Sequence, residues 1–420
     1  MKPGSLHRPL SLGSTGACPP LRILWTLPYL PWPTTSGGKL RQFQLLRALA
    51  ARGHRITLLV QSKEPASDAC RRQLESIVER LIVLPRRPLK HPLTLLAAAL
   101  GPYPLLASVN GLSPDLSRTF DGLLRQPWDV VQIEHSYGLQ PFLDVLGRHG
   151  QPFLLTEHNV ESELGAATYQ HLPRWCAPFV WWDRWRYRRW AALALNAAER
   201  VAAVTWEDAA AMAQHSGRLV DVVINGVDAD AFAEVRPDYA SQRLLFVGNF
   251  EYPPNRDAVV WLAEEVMPRL WRRLPRARLA ICGYAMPEDW ARRWPDERLE
   301  WLGFVPELST QQRRAAAFIA GLRQGGGSKL KVLEALAAGL ALLSTPQGAS
   351  GLDLRPDSDY LRGDDAEQLA EAAAALLSRP ERAASLGAAG REYVRRRHDW
   401  AIAADQLETL YRELRHAHRN

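Results

Sequence analysis

Cysteine is scarce in this chain of 420 residues, and the four that occur, Cys18, Cys70, Cys176 and Cys282, stand far apart. No CxxC or CxxH spacing joins them, which argues against a zinc site or a disulfide framework and fits a reducing cytosol. No metal or other cofactor is expected. A long hydrophobic run is also missing: the most apolar window, Pro92 to Val109, is broken by Gly101, Pro102 and Pro104 and is too short to span a bilayer. The first twenty residues, rich in Pro, Gly and Ser, lack an apolar core and read as a flexible tail rather than a signal peptide. The expected location is therefore cytoplasmic, with any membrane association peripheral on the inner face of the cytoplasmic membrane. Arginines are scattered rather than run together, so no nucleic-acid partner is expected. No G-x-G-x-x-G follows the first strand of either half, which disfavours an NAD-dependent dehydrogenase.

What is present is globular. Hydrophobic residues make up 47% and charged residues 23%, and the length suits two domains of similar size. Lys and Arg number 52 against 45 Asp and Glu, a net charge of +7. That mild excess suits anionic small molecules or an anionic membrane surface.

Taken in order, apolar runs alternate with helical stretches. Strands are expected at 21–27, 55–60, 80–84, 128–133, 152–156, 200–205 and 220–224, with helices at 39–52, opened by Gly37 and Gly38, and at 66–79. Continuously apolar strands that alternate with helices belong to a parallel sheet covered on both faces. A polar stretch at 226–242 reads as a linker, after which the pattern restarts. Strands are expected at 244–247, 278–281, 299–302, 317–319 and 341–344, with a helix capped by Asn255 running to about Arg273. The fold class is α/β: two doubly wound Rossmann-like domains, 21–225 and 243–398, facing across a cleft. A last helix, 399–420, is expected to pack back toward the first domain. Ligands of such sheets sit outside the carboxyl ends of the strands, where the glycine-bearing loops fall.

One such loop is Arg323 to Ser344, RQGGGSKLKVLEALAAGLALLS. A glycine loop feeding a helix N-terminus offers outward N–H groups and a favourable dipole to a phosphate. Lys329 and Lys331 would complete a diphosphate seat, and Glu334, one turn on, could accept from sugar hydroxyls. The alternative is a tight turn capped by Ser328, with Lys331 and Glu334 as a surface i,i+3 pair. A second stretch, Trp175 to Trp190, interleaves tryptophan with arginine. Interfacial helices combine these residues; a helix with its tryptophans buried and its arginines solvated is the other reading.

Five segments in order resemble retaining GT-B glycosyltransferases of the group 1, family 4 type, closest to the branch of exopolysaccharide and PEP-CTERM/exosortase-associated sugar transferases. They are SGGKLRQFQLLRALAARGH (36–54), TEHNVES (156–162), INGVD (224–228), FVGNFEYPPNRDAVVWL (246–262) and RQGGGSKLKVLEALAAGLALLSTPQGASGL (323–352). The resemblance implies transfer of a sugar from a nucleotide-diphosphate-sugar to an acceptor hydroxyl, the C-terminal domain holding the donor. By position, Glu334 matches a ribose contact, and Gly325, Gly326, Gly327 and Ser328 match the loop facing the donor's sugar and phosphates. Gly248 and Asn249 match the loop near the diphosphate. Gly37 and Gly38, with Lys39 beside them, match an N-domain loop on the donor phosphates and acceptor. His158 matches the histidine near the reacting sugar, and it and Lys331 are the catalytic candidates. Lys329, Arg323 and Arg256 are further candidate cations.

Two departures stand out. Gly326 occupies the place where the commoner form carries a glutamate for the donor sugar. The usual Arg and Lys pair after the first C-domain strand is also missing, leaving Arg256 alone in NFEYPPNRD. A nucleotide-sugar 2-epimerase of the same fold and a non-catalytic nucleotide-sugar-binding protein are the alternatives. The expected partners are a nucleotide-sugar donor, a lipid-linked sugar as acceptor and an anionic membrane surface.

Overall fold

The computed structural model describes residues 19–88, 91–159, 173–325 and 329–419. The chain divides into two compact units, Met1–Ile224 with Ala403–Asn420, and Asn225–Ile402.

The first unit is a seven-stranded parallel sheet in the order β3-β2-β1-β4-β5-β6-β7. Its strands are β1 Arg22–Leu27, β2 Arg55–Ser62, β3 Arg80–Pro85, β4 Val130–Glu134, β5 Leu154–Glu157, β6 Arg200–Ala203 and β7 Asp221–Val222. The described helices between them are α1 Gly37–Ala51, α2 Asp68–Glu75, α3 Pro92–Leu100, α4 Leu105–Gly111, α5 Pro114–Leu124, α6 Ser136–His149, α7 Ala177–Ala197 and α8 Trp206–Ser216. The central strands read as unbroken apolar runs because helices cover both faces. Ile23 of β1, for example, is fully buried between its register partners Ile56 and Val130.

The second unit repeats the plan with six parallel strands in the order β10-β9-β8-β11-β12-β13. These are β8 Arg243–Val247, β9 Arg278–Cys282, β10 Leu299–Gly303, β11 Ala317–Ala320, β12 Ala341–Ser344 and β13 Leu361–Arg362. Its helices are α9 Pro253–Trp261, α10 Met267–Arg273, α11 Trp290–Arg293, α12 Leu308–Arg313, α13 Leu330–Ala337, α14 Ala366–Leu377 and α15 Pro380–Arg397. The last helix, α16 Trp400–Arg419, begins in this unit, and from Ala403 it belongs to the first. Tyr411 on α16 is fully buried and donates to Gln132 of β4, and Glu408 accepts from His54 Nε2 at 2.8 Å. His54, the last residue of the first motif, also accepts from the Leu21 amide through Nδ1, so it is a structural histidine.

Several local expectations need correction. The second helix spans only Asp68–Glu75, because Ser67 caps it by accepting from the Cys70 amide and the chain leaves at Ser76. Strand β7 has two residues rather than five. Asn255 is not a cap: α9 starts at Pro253 behind Tyr252, and the Asn255 side chain has other partners. The long helix that follows is interrupted by a π-helical turn, Leu262–Val266. The stretch expected as a linker packs into the second unit, with Val227 and Val235 buried and the Asp238 amide donating to the Arg313 carbonyl.

Strand order reverses between β1 and β4 in one unit and between β8 and β11 in the other. These reversals are the switch points where open parallel sheets hold ligands. The loops leaving β1, β8 and β11 are ones the sequence singles out, whereas His158 follows the neighbouring strand β5.

Candidate functional site

In the second unit, β8 ends in Gly248 and Asn249. The Gly248 amide donates to Cys282 at the end of β9, and a side chain at Gly283 would overlap the Gly248 carbonyl. Glycine therefore lets two neighbouring strand ends turn side by side. The Asn249 side chain accepts from the Glu251 amide, and its carbonyl accepts from Asn255 Nδ2 at 2.7 Å. Asn255 Oδ1 in turn accepts from the Lys331 ammonium, which lies 4.8 Å from the Phe246 ring centroid. One asparagine thus ties the loop after β8 to the first turn of α13.

The loop after β11 carries Arg323 and Gly325. Gly325 has φ +107°, and its carbonyl accepts from Lys329 Nζ at 3.1 Å and from Gln347. A Cβ there would meet the Tyr252 hydroxyl at 2.9 Å. Gly326, Gly327 and Ser328 lie outside the described residues, as does the Ser328 cap. Gly325→Ala should cost about 1–2 kcal/mol, because L-residues resist this φ and the methyl displaces Tyr252. Thermal unfolding of the variant checks this, together with a weaker hold on nucleoside diphosphates.

The two lysines and Glu334 do not make a simple surface pair. Burial lowers Lys331 to about 7, and the neighbouring Lys329 charge adds to this. Burial raises the Glu334 carboxyl to about 7. Both side chains are half-buried, so the site holds a cation and a carboxylate at the edge of solvent with their charges weakly supported. An anion beside Lys331 would restore its proton. The other two candidate cations are engaged elsewhere. Arg323 makes a two-point pair with Asp257 at 3.0 Å for its Nε, and Arg256 donates to the Phe250 carbonyl. Neither is joined to the Lys331 network by a described hydrogen bond.

In the first unit, Gly37 and Gly38 open α1 behind Ser36, whose hydroxyl accepts from the Lys39 amide. A Cβ at Gly38 would lie 3.2 Å from the Tyr29 hydroxyl and 3.5 Å from His158 Nδ1, so this loop and His158 meet. Lys39 is half-buried and lies near Cys70, where its charge offsets part of the burial that raises the thiol.

His158 is held from behind. Its Nε2 lies 3.1 Å from Glu134 Oε2, and Gln42 Nε2 donates to the same oxygen at 2.6 Å. Gln132 donates to the other oxygen, Glu134 Oε1. Burial opposes ionisation of Glu134, but its contacts with His158, His135 and Gln132 hold the carboxyl below the usual range. Burial, then His135, pulls His158 down to about 4 against the opposing effect of Glu134. The ionised carboxylate favours a neutral imidazole with its proton on Nε2, a nitrogen that Gln42 Nε2 also approaches at 2.9 Å, and Nδ1 is then the acceptor toward Gly38. His135, at φ +64°, lies with its ring 4.3 Å from that of His158 and tilted by 50° to it, and shares a 3.2 Å hydrogen bond with Tyr29. A non-glycine residue in that region at the end of β4 marks a strained turn, as functional sites often do.

Glu134, Gln42, His135 and Asn255 did not stand out as site residues in the sequence. One signal was available: Gln132 and Glu134 interrupt an otherwise apolar buried strand, and buried polar groups need a reason.

Two parallel-sheet Rossmann-like units with glycine-bearing loops at both switch points define the GT-B architecture. Two family models match in tandem, "Glycosyltransferase Family 4" over residues 36–231 and "Glycosyl transferases group 1" over residues 241–379. The chain belongs to the group 1, family 4 GT-B glycosyltransferases. A GDP-mannose-dependent monoacylated alpha-(1-6)-phosphatidylinositol monomannoside mannosyltransferase of Corynebacterium glutamicum is 27% identical over 210 residues. That match covers 44% of this chain and 54% of the relative, about half its length. Among solved structures, HepE of Anabaena in complex with UDP and glucose aligns with TM-score 0.63 and 14% identity, over 94% of this chain and 100% of that one. Sucrose-phosphate synthase of Thermosynechococcus elongatus aligns with TM-score 0.68 and 19% identity over 94% and 100%. At such identities the likeness is one of fold.

Proposed function

We propose that the protein is a retaining glycosyltransferase that moves a sugar from a nucleotide-diphosphate-sugar to an acceptor hydroxyl in exopolysaccharide or other cell-surface glycan synthesis. The observation that carries this reading is the Lys331–Asn255–Asn249 link, which assembles a cation and two loops at the switch point of the second unit. Leaving-group departure places charge on the diphosphate, so a fixed cation there stabilises the transition state more than the ground state. Lys331 takes that role, with Lys329 beside it, and Glu334 accepts from the nucleotide ribose. On the N-terminal unit, His158 offers Nδ1 to a hydroxyl of the reacting sugar, next to Gly38. The relative from Corynebacterium acts on a lipid-borne mannoside by its name, which agrees with a lipid-linked acceptor and peripheral contact with an anionic membrane.

A panel of nucleotide-sugars and nucleoside diphosphates tests the reading by thermal unfolding. At a hundredfold excess over Kd, a ligand stabilises the folded state by about 2.7 kcal/mol, a rise of roughly 5–10 °C for domains of this size. One donor class should give that shift and be consumed with acceptor, yielding a product of unchanged anomeric configuration. No shift and no donor consumption across the panel would sink the reading. Conversion of the donor sugar without acceptor would mark a 2-epimerase instead.

A further inference from the structure

Helix α3 has the sequence PLTLLAAAL, and Leu93, Leu95, Leu96 and Leu100 on it are all at least 50% exposed. Proteins that stay in water rarely leave such a cluster open. It is not a loose flap. Arg186 of α7 donates to the carbonyls of Ala98 and Gly101 at the end of α3, at 2.5 and 2.6 Å. Asp183, one turn earlier, pairs with Arg186 and accepts from the Leu105 amide at the start of α4. This buried pair therefore satisfies one helix end and one helix start at once, while Phe179 and Val180 of α7 pack on Ala98 and Leu105.

The outer face of α7 continues the surface. Trp181 and Trp185 are exposed one turn apart on the face that also carries Arg188 and Arg189, and Trp175 is exposed in the 3-10 turn, Arg174–Cys176, just before α7. The Arg189 guanidinium sits 4.8 Å over the Trp185 ring. Residues 91–112 contain no Lys, Arg, Asp or Glu, and the one carboxylate of α7 is the buried Asp183. Every exposed charge on α7 is thus positive.

We infer that the α3–α7 face is a docking surface for an anionic lipid bilayer, leucines entering the acyl boundary and tryptophans and arginines lying at the headgroups. Exposed aromatic residues beside cations, with leucines nearby, are the chemistry of interfacial helices. A second copy of this chain fits poorly, since two-fold pairing would bring the same arginines face to face. The inner end of α7 reaches the candidate site: Trp190 is buried and donates to the Ser136 carbonyl, next to His135. From Trp181 to Trp190 is roughly 14 Å along a helix, a short reach for an acceptor held by its lipid. The inference deepens the peripheral membrane contact of the proposed function, and only the reach to an acceptor rests on sugar transfer itself.

Flotation of the full chain with vesicles free of any sugar acceptor tests this. Phosphatidylcholine vesicles with one-third phosphatidylglycerol should bind it at least tenfold better than pure phosphatidylcholine, with most of the gain lost in 0.5 M salt, as about 1 kcal/mol per surface cation implies. A Leu93→Glu, Leu96→Glu, Leu100→Glu variant should lose at least tenfold, and Arg188→Glu, Arg189→Glu should lose the salt-sensitive part. Both should keep the wild-type melting curve. Trp181→Ala with Trp185→Ala is a milder alternative should the leucine variant fail to fold. Absence of vesicle binding overturns the inference, as does wild-type binding by these variants. A concentration-dependent dimer dissolved by the leucine variant also overturns it, because the face would then pair copies. Failed docking with donor binding intact rejects this surface and the membrane contact and leaves sugar transfer standing; docking without donor binding or consumption rejects sugar transfer and leaves the surface standing.

Discussion

Replacing Glu134 by glutamine should lower kcat by about 10²-fold or more while leaving the donor KM within a few-fold of wild type. The group does not face substrate in this reading; it sets the state of one that does. With the carboxylate present, His158 keeps its proton on Nε2 and offers Nδ1 toward Gly38. A neutral amide removes the charge that favours this tautomer and can donate to Nε2, leaving the proton on the side where an acceptor is needed. Loss of a tautomer-setting carboxylate costs about four orders of magnitude in the best-known triad, the upper end of expectation here. Nitrogen NMR of the imidazole reports the switch directly, a readout that a purely structural role for Glu134 would not move. The variant should also lose about 1–3 kcal/mol of stability, because buried Arg41 then lacks its nearby carboxylate. Glu134→Asp, which keeps the charge, should recover part of the rate.

The second large effect is at Lys331. Lys331→Ala should reduce kcat/KM by about 10²–10³-fold, the loss seen when one fixed donor to a developing negative charge is removed, about 3–4 kcal/mol. Lys331→Arg should not restore it, because a planar guanidinium cannot replace a compact ammonium lodged between Asn255 Oδ1 and the Phe246 ring. Little stability should be lost, since the lysine carries its charge at a cost from burial. Kinetics with the productive donor, beside the melting curves of both variants, check the split.

Much of the fold is legible in the sequence for a simple physical reason. Strands buried on both faces must be apolar throughout, so runs such as RITLLV and RLAIC announce themselves, and the glycines after them mark turns at strand ends. The restart of the pattern after Ile224 shows the second unit. Short-range detail is less visible. Asn255 reads as a cap because capping residues are short and polar, yet its partners are Asn249 and Lys331, the latter 76 positions away. The Glu134–Gln42 contact spans 92 positions, and only the packing of α1 on the sheet creates it. Composition likewise cannot assign faces. In the Trp/Arg helix, Trp181 and Trp185 are exposed while Arg186 is buried against carbonyls, because helix ends needed donors there. The leucines of α3 have the pattern of a core helix and lie outside.

The most direct measurement is a calorimetric titration of nucleoside diphosphates into the wild-type protein and Lys331→Ala across pH 6 to 9. The free site holds Lys331 with a pKa of about 7, below the ordinary lysine value of 10.5, and a bound diphosphate would raise it. Binding should therefore take up a proton above pH 7, and affinity should fall by up to tenfold per pH unit as the free lysine deprotonates. The lysine variant should bind weakly, without the Lys331-linked proton uptake. Equal affinity in both proteins, with no Lys331-linked uptake, would contradict a donor seat built on Lys331.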